Sequence, residues 1–318
     1  MLPVRTLAVA SLLAAVAAPA RAQDGGRHAA AVLSLPAAPR AAALADAFTA
    51  VGGDEASLFY SPAQLATVRG RGVSASVERF LATTLLGAAV GAVRVAGGTA
   101  AVGVRSLQYP DAPEAQEYEP TGRTVTGGEL AVTAGFARAL WGVRAGASAT
   151  LVRQRVAEAS GQTIAGDVGL AWTVPAASAT SPLPRRALAG LTVAGALQHL
   201  GGELSLLGRA SPLPRRMRVG IARPTTLTPT LSLLTTAEVV QLDGEAARPA
   251  AGAELRWQRG HLSLDARGGV RRRLLRDEAM PAHTVGAGLG FRAVGLDYAY
   301  QGYAALGATH RLGVRWAP

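Results

Sequence analysis

The side chains able to do chemistry are few and widely spaced. The 318-residue chain holds five histidines, His28, His199, His261, His283 and His310, and no cysteine. Without thiols there are no disulfides and no thiolate metal sites. No histidine pair at i, i+4 with a carboxylate offers a metal site either. A hydrolase needs a nucleophile, a base and an orienting acid within hydrogen-bond reach. His261, Ser263 and Asp265 come nearest to that, but alternate residues of one strand stand roughly 6.5–7 Å apart, too far for a direct relay. They read better as the polar lining of a lumen. Gly286, Gly288 and Gly290 imitate a dinucleotide fingerprint, yet they sit in a strand pattern with no helix following, so no phosphate cradle can form. These residues point to a protein that is not an enzyme and carries no metal or cofactor.

Charge excludes a second class. The net charge is +11, and every one of the 32 basic residues is arginine. The arginines are scattered singly through apolar stretches instead of clustering on a helix, and no basic motif accompanies them, so nucleic acid is not the expected partner.

What must position these residues is a set of alternating strands. Ser263, Asp265, Arg267 and Arg271 share one face of 261–271 with His261, while Leu262, Leu264, Ala266 and Val270 share the other. In 251–258, Gly252, Glu254, Arg256 and Gln258 oppose Ala251, Ala253, Leu255 and Trp257. The same period of two runs through 141–151, 284–292 and 308–316, the signal of a strand with one apolar and one polar face. Fourteen candidate strands follow, near 72–80, 83–94, 99–108, 126–138, 141–155, 162–174, 187–199, 215–223, 230–242, 248–258, 261–271, 282–292, 294–302 and 308–316. Their number is even and most have the length a tilted transmembrane strand needs. With both termini in the periplasm, the periplasmic turns are mostly tight (96–98, 139–140, 259–260, 293) and the long polar connections (109–125, 200–214, 272–281) face outward. The proline-rich connection 175–186 departs from that pattern.

The aromatic residues follow the same topology. Trp141, Trp172, Trp257 and Trp316, with Phe136 and Phe291, fall at periplasmic strand ends on the apolar face; Tyr109, Tyr298 and Tyr300 fall toward the outer end. Two aromatic girdles are the mark of an outer-membrane barrel. The lumen face carries Arg144, Arg256, Arg267, Arg292, Arg311 and Arg315 with Glu129, Asp167, Glu238, Glu254, Asp265 and Asp297. Both signs alternate among adjacent strands, so this interior is expected to be filled by interlocking ion pairs in preference to binding an anionic solute.

The first 22 residues read as a secretory signal, with Arg5 in the n-region, an apolar run over Leu7–Pro19 and a small-x-small site at Ala20-Arg21-Ala22. The apolar run is too short for a membrane anchor. Residues 39–51 read as a short helix opened by Pro39 and stopped by Gly52-Gly53, with a second turn starting at Ser61-Pro62. The expected organisation is a signal over 1–22, an N-terminal helical plug over 23–70 and an all-β, fourteen-stranded antiparallel barrel over 71–318, in the outer membrane and in contact with its lipid.

The stretch Leu33–Leu65 resembles the opening of the PorV/PorQ family, whose usual form runs roughly R-x-x-x-M-G-x-A-x-x-A-x-x-D-x-x-A-x-x-x-N-P-A-x-L. Leu191–Gly202, Pro212–Gly220 and Gly288–Gly313 are similar to later stretches of that family. Leu44 and Ala45 stand in place of Met-Gly, Ser61 in place of Asn, and His199 in place of the Asn of an N-L-G element. The resemblance implies a FadL-like fourteen-stranded barrel whose plug motif includes Arg40, Asp46, Asp54, Tyr60, Ser61 and Pro62, with Arg144, Arg256, Arg267, Asp265, Asp297 and Arg311 lining the lumen. It further implies a component of type IX secretion that engages secretion-system proteins or exported C-terminal signal domains. The alternatives are FadL-like transport of hydrophobic small molecules and a purely structural barrel.

Overall fold

The structure is a computed structural model, which describes residues 28–80, 83–116, 119–176, 188–271, 282–303 and 307–318. The export signal read from the sequence lies outside these residues, as does most of the proline-rich connection.

Eighteen strands are described. In chain order they are β1 (Arg71–Arg79), β2 (Leu85–Val95), β3 (Gly98–Gln108), β4 (Ala112–Gln116), β5 (Glu119–Val125), β6 (Gly127–Leu140), β7 (Val143–Val156), β8 (Ala159–Thr173) and β9 (Thr192–Gly201). There follow β10 (Glu203–Leu206), β11 (Arg209–Pro212), β12 (Arg216–Thr228), β13 (Leu231–Leu242), β14 (Arg248–Arg259), β15 (Leu262–Arg271), β16 (Ala282–Phe291), β17 (Val294–Gly302) and β18 (Ala308–Trp316). Fourteen of them form one closed antiparallel barrel, sealed where β1 pairs with β18 from Val73↔Trp316 to Arg79↔His310. The pairs β4–β5 and β10–β11 are separate hairpins at the end opposite the tight turns and the last residue of β18.

Closure follows from the alternation. Every barrel strand turns one face inward, and the barrel sheet keeps no open edge for another chain to pair with. Outward go Val73, Val102, Ile164, Leu170, Leu264, Val285, Leu296 and Leu312, all between 47 % and 64 % exposed. Inward go Glu78, Arg105, Glu129, Asp167, Arg218, Glu238, Glu254, Asp265, Arg267 and Arg311, none above 5 %. An apolar exterior over a charged interior inverts a soluble core and suits a hydrocarbon surround. Trp141, Trp172, Trp257, Trp316, Phe136 and Phe291 all lie toward the tight-turn end, outward or in the turns.

Two expected orientations are corrected. Arg292 does not line the lumen: it occupies the tight 292–293 turn, exposed, over the ring of Phe291 at 5.5 Å. Tyr109 is no girdle residue, because its hydroxyl donates to inward-facing Glu129 at 2.6 Å and its ring packs inside the mouth. In each case a nearby partner takes the side chain, the Phe291 ring for Arg292 and the Glu129 carboxylate for Tyr109.

The exterior assignment has a direct test. Ala147→Arg, facing lipid from β7, is expected to lower unfolding stability by about 2–4 kcal/mol, and Ser263→Arg, on the inner face of β15, by much less. The temperature of the heat-modifiable mobility shift reads both, and equal losses would reverse the two faces.

Candidate functional site

The lumen is occupied by the chain itself. Residues 28–68 thread the barrel from the hairpin end to the tight-turn end. At the first, the Ala29 amide donates to the Pro212 carbonyl at 3.0 Å. At the second, Arg94 donates to the Ala66 carbonyl at 3.4 Å, just before β1 begins. The expected helix over 39–51 is real only as α1 (Pro39–Ala43). It stops because the wall competes for its carbonyls: Thr284 Oγ1 donates to Ala43 O at 2.8 Å and Arg271 to Ala45 O at 3.0 Å. Ala45 and Asp46 then turn left-handed, with φ of 54° and 59°. That explains the glycine usual at position 45 in the family resembled, since a Cβ is strained there.

The motif residues come together as the frame of this plug. Arg40 makes a two-point contact with Glu254 of β14, at 2.7 and 2.8 Å, and a further bond of 3.2 Å to Asp54. Asp54 also caps the 3-10 turn Glu55–Phe59, accepting from Ala56 N at 3.0 Å. Asp46 accepts from Arg271 at 2.6 Å and from the Tyr60 hydroxyl at 3.2 Å, and that hydroxyl accepts from Ala37 N at 3.0 Å. Burial with Asp46 alongside raises the phenol pKa, so Tyr60 stays protonated. The two carboxylates of Glu254 and Asp54 outweigh the desolvation of Arg40 and hold its pKa above the ordinary value. Pro62 packs where a Cβ on Gly146 would come within 2.5 Å of its backbone. Ser61 starts the turn Pro62–Thr67, but its buried hydroxyl makes neither a cap nor any other hydrogen bond.

The wall completes a ladder of charge. Arg267 binds Glu254 at 2.7 Å, Asp265 at 2.9 Å and Asp297 at 2.5 Å; Arg256 binds Asp265 at 2.6 Å. Arg311 pairs with Glu78, and Arg218 with Glu238 at 3.1 Å. Arg256, Arg267, Asp265, Asp297 and Arg311 thus all lie within this ion-paired ladder. Arg144 stands apart from the ladder, donating to Thr173 at 2.8 Å beside a cavity of about 650 Å³ at the tight-turn end. His261, by contrast, sits exposed in the turn before β15, and Asp265 is committed to arginines, so no catalytic relay is assembled.

Other residues escaped the sequence reading. Glu78, Arg105 and Arg218 point inward, yet the alternation that reveals them was read only from other strands. His199 adopts φ 58° at a bulge where its amide donates to Asp167 at 2.7 Å. Asn and His are among the residues that tolerate that conformation, which accounts for the exchange seen in the N-L-G element. The outer half of the lumen also holds an apolar cluster: Leu86, Leu107, Ala131, Val152 and Ala165 of the wall and Leu204 of β10 enclose Ala30, Val32 and Leu33, with inward Glu129 and Arg105 beside them.

No family profile and no curated protein matches this sequence. Among solved structures it is similar to the Pseudomonas putida toluene transporter TodX, at 11% identity over 82% of this chain and 92% of that one, with TM-score 0.50. The deltaS2S3 mutant of the TodX monoaromatic hydrocarbon channel is similar at 11% identity over 83% and 94%, with TM-score 0.52. For the Ralstonia pickettii toluene transporter TbuX the values are 13%, 86%, 95% and 0.48. These neighbours are FadL-like outer-membrane barrels, and at such identities the likeness is one of fold. The protein is a closed fourteen-stranded barrel of the outer membrane. The narrower PorV/PorQ assignment and a part in type IX secretion find no support in the comparisons.

Three measurements check the plug. Arg40→Ala leaves Asp54 without its buried cation, while Glu254 keeps Arg267, and is expected to cost about 3 kcal/mol, the lower end of the usual loss on halving a buried pair. Ala45→Gly is expected to gain about 1 kcal/mol by relieving the left-handed strain. Glu55 gives the pH dependence: burial first, and Asp54 second, raise its pKa to about 7. A carboxyl raised above its unfolded value stabilises the docked plug most at acidic pH, and that contribution is lost as pH rises through about 7. Limited proteolysis of the plug is therefore expected to accelerate between pH 5 and pH 8, and Glu55→Gln should flatten that slope.

Proposed function

We propose that the protein conducts small hydrophobic molecules across the outer membrane. The observation that carries this is the apolar upper lumen. Barrel interiors are ordinarily polar, yet here five wall strands turn Leu86, Leu107, Ala131, Val152 and Ala165 inward under the β10–β11 hairpin. An apolar chamber with few polar groups is the ordinary form of a small-molecule site. Its present occupants, Ala30, Val32 and Leu33, belong to the plug and are tied by a handful of main-chain bonds: Val32 N to Glu129 at 2.7 Å, and Leu33 O from Arg216 at 2.9 Å. An apolar solute that displaces them meets surface of its own kind, and below it lies the cavity beside Arg144. The names of the structural neighbours, transporters of toluene and a monoaromatic hydrocarbon channel, agree with this reading. Protein secretion has no comparable feature in its favour.

Uptake and secretion separate in one comparison of cells with and without the gene. Loss of the protein is expected to slow accumulation of radiolabelled toluene or a long-chain fatty acid and to leave the set of secreted proteins unchanged. Leu107→Arg, which puts a charge in the upper chamber, should reproduce the uptake defect in a barrel that still shifts on heating. Missing secreted proteins bearing a shared C-terminal domain, with uptake intact, would overturn the proposal.

A further inference from the structure

The exterior of the barrel is not evenly convex. Across β15–β18 and β1 it holds a trough of about 740 Å³, with Leu264, Ala287, Leu289, Leu296, Leu312 and Val314 along it. A second cleft of about 460 Å³ shares Leu289 and Leu296 and ends at Phe291, Arg292 and Val294 by the tight turn. The cause lies on the inner face. A Cβ on Gly286 would stand 2.5 Å from that of Ala43, and one on Gly313 2.7 Å from Pro39. Glycine at these positions lets the wall settle onto α1, and small Ala75 and Ala287 outside leave the depression unfilled.

The lower end of the trough is cationic. Arg292 lies over Phe291 at 5.5 Å, and Arg71 over Trp316 at 5.3 Å. They flank the same strand, because Trp316 of β18 pairs with Val294 on one side and Val73 on the other. Arg138 and Arg259 also stand exposed at this end. Among the described residues, every acidic side chain of a barrel strand points inward, and no tight turn at this end contains Asp or Glu. Stacking holds the guanidinium groups at the level of the aromatic girdle, where lipid headgroups lie. A guanidinium matches the oxygens of a phosphate in a way a hydrated ammonium does not.

We propose that this trough is a binding site for one anionic phospholipid of the inner leaflet. Its phosphate sits at Arg292 with Arg71 beside it, and an acyl chain runs up past Leu289, Leu296 and Leu312. The absence of acidic side chains from the outer face makes the site selective: a zwitterionic headgroup would bring a cation among arginines with no Asp or Glu of the outer face to receive it.

Native mass spectrometry of the detergent-purified, full-length barrel tests this with phosphatidylglycerol and phosphatidylcholine supplied in equal amounts. One retained phosphatidylglycerol per barrel is expected, with phosphatidylcholine held about tenfold less well, a difference of about 1.4 kcal/mol. The double variant R71Q/R292Q should lose that preference, and A287F, which fills the trough, should lose retention of both lipids. Heat-modifiable mobility reports that each variant is folded. Equal retention of the two lipids by the natural protein would overturn the proposal, and that is also the result expected if the arginines serve an acidic periplasmic protein. Unchanged lipid retention in both folded variants would overturn it as well.

Discussion

A guanidinium enclosed in a barrel lumen must be met by carboxylates, because the cost of taking it from water is several kcal/mol and only close, hydrogen-bonded counter-charges offset it. Arg40 satisfies that demand through Glu254 in the wall and Asp54 in the plug. The consequence is geometric. Meeting both partners fixes α1 against β14–β17, and the wall must then come close enough to touch it. Glycines make that approach possible: Gly252 and Gly269 meet the backbone at Leu44 and Ala45, and Gly286 meets Ala43, at distances no Cβ would allow. The charges choose the docking position and the glycines supply the room. Neither would hold a plug without the other.

The same economy divides the lumen along its length. In the lower half the inward residues of β14–β18 are mostly charged or glycine, so the plug is received by ion pairs and backbone contact. In the upper half β2, β3 and β6–β8 add apolar inward residues beside Arg105 and Glu129, and the plug answers with Ala30, Val32 and Leu33. Hydrophobic contact has no required geometry, so this upper part of the plug is held by area more than by direction. A solute of similar polarity can compete for area. It cannot compete for the two-point contact of Arg40 with Glu254.

The strand count, the faces and the girdle of tryptophans were legible because a membrane barrel has a period of exact alternation and two solvents to separate. Residues 261–271 show it: Ser263, Asp265, Arg267 and Arg271, assigned inward from the pattern, are inward in the structure, and only His261 departs, exposed in the turn before β15. The plug was legible as a segment but not as a shape. Residues 39–51 have helical composition, yet Thr284, Gln301 and Arg271 take the carbonyls that the helix would have used. Tertiary competition of this kind leaves no mark on local propensity. Nor did the sequence show which carboxylate each lumen arginine would meet, because pairing across strands depends on register and shear. Arg40 and Glu254 are separated by 214 residues. The apolar upper lumen was missed for a simpler reason. Leu86, Ala88, Val90 and Ala92 make β2 apolar inside, while Leu85 and Val93 keep it apolar outside. A strand apolar on both faces shows no alternation to read.

The charge ladder also decides what the plug can do after it has docked. Removing one partner of a buried pair is costly when the other is left alone. For Arg40 and Glu254 neither side would be: Glu254 keeps Arg267 at 2.7 Å, with Arg256 at 3.9 Å, and Arg40 keeps Asp54 at 3.2 Å. Arg271 and Asp46 differ. Among the described residues each is the other's one ion-pair partner, and on separation Asp46 would keep only the neutral Tyr60 hydroxyl. The penalty for parting plug and wall is therefore concentrated at Arg271 and Asp46. An exclusive pair across the seam, such as Arg271 with Asp46, resists parting more than a shared one, such as Arg40 with Glu254.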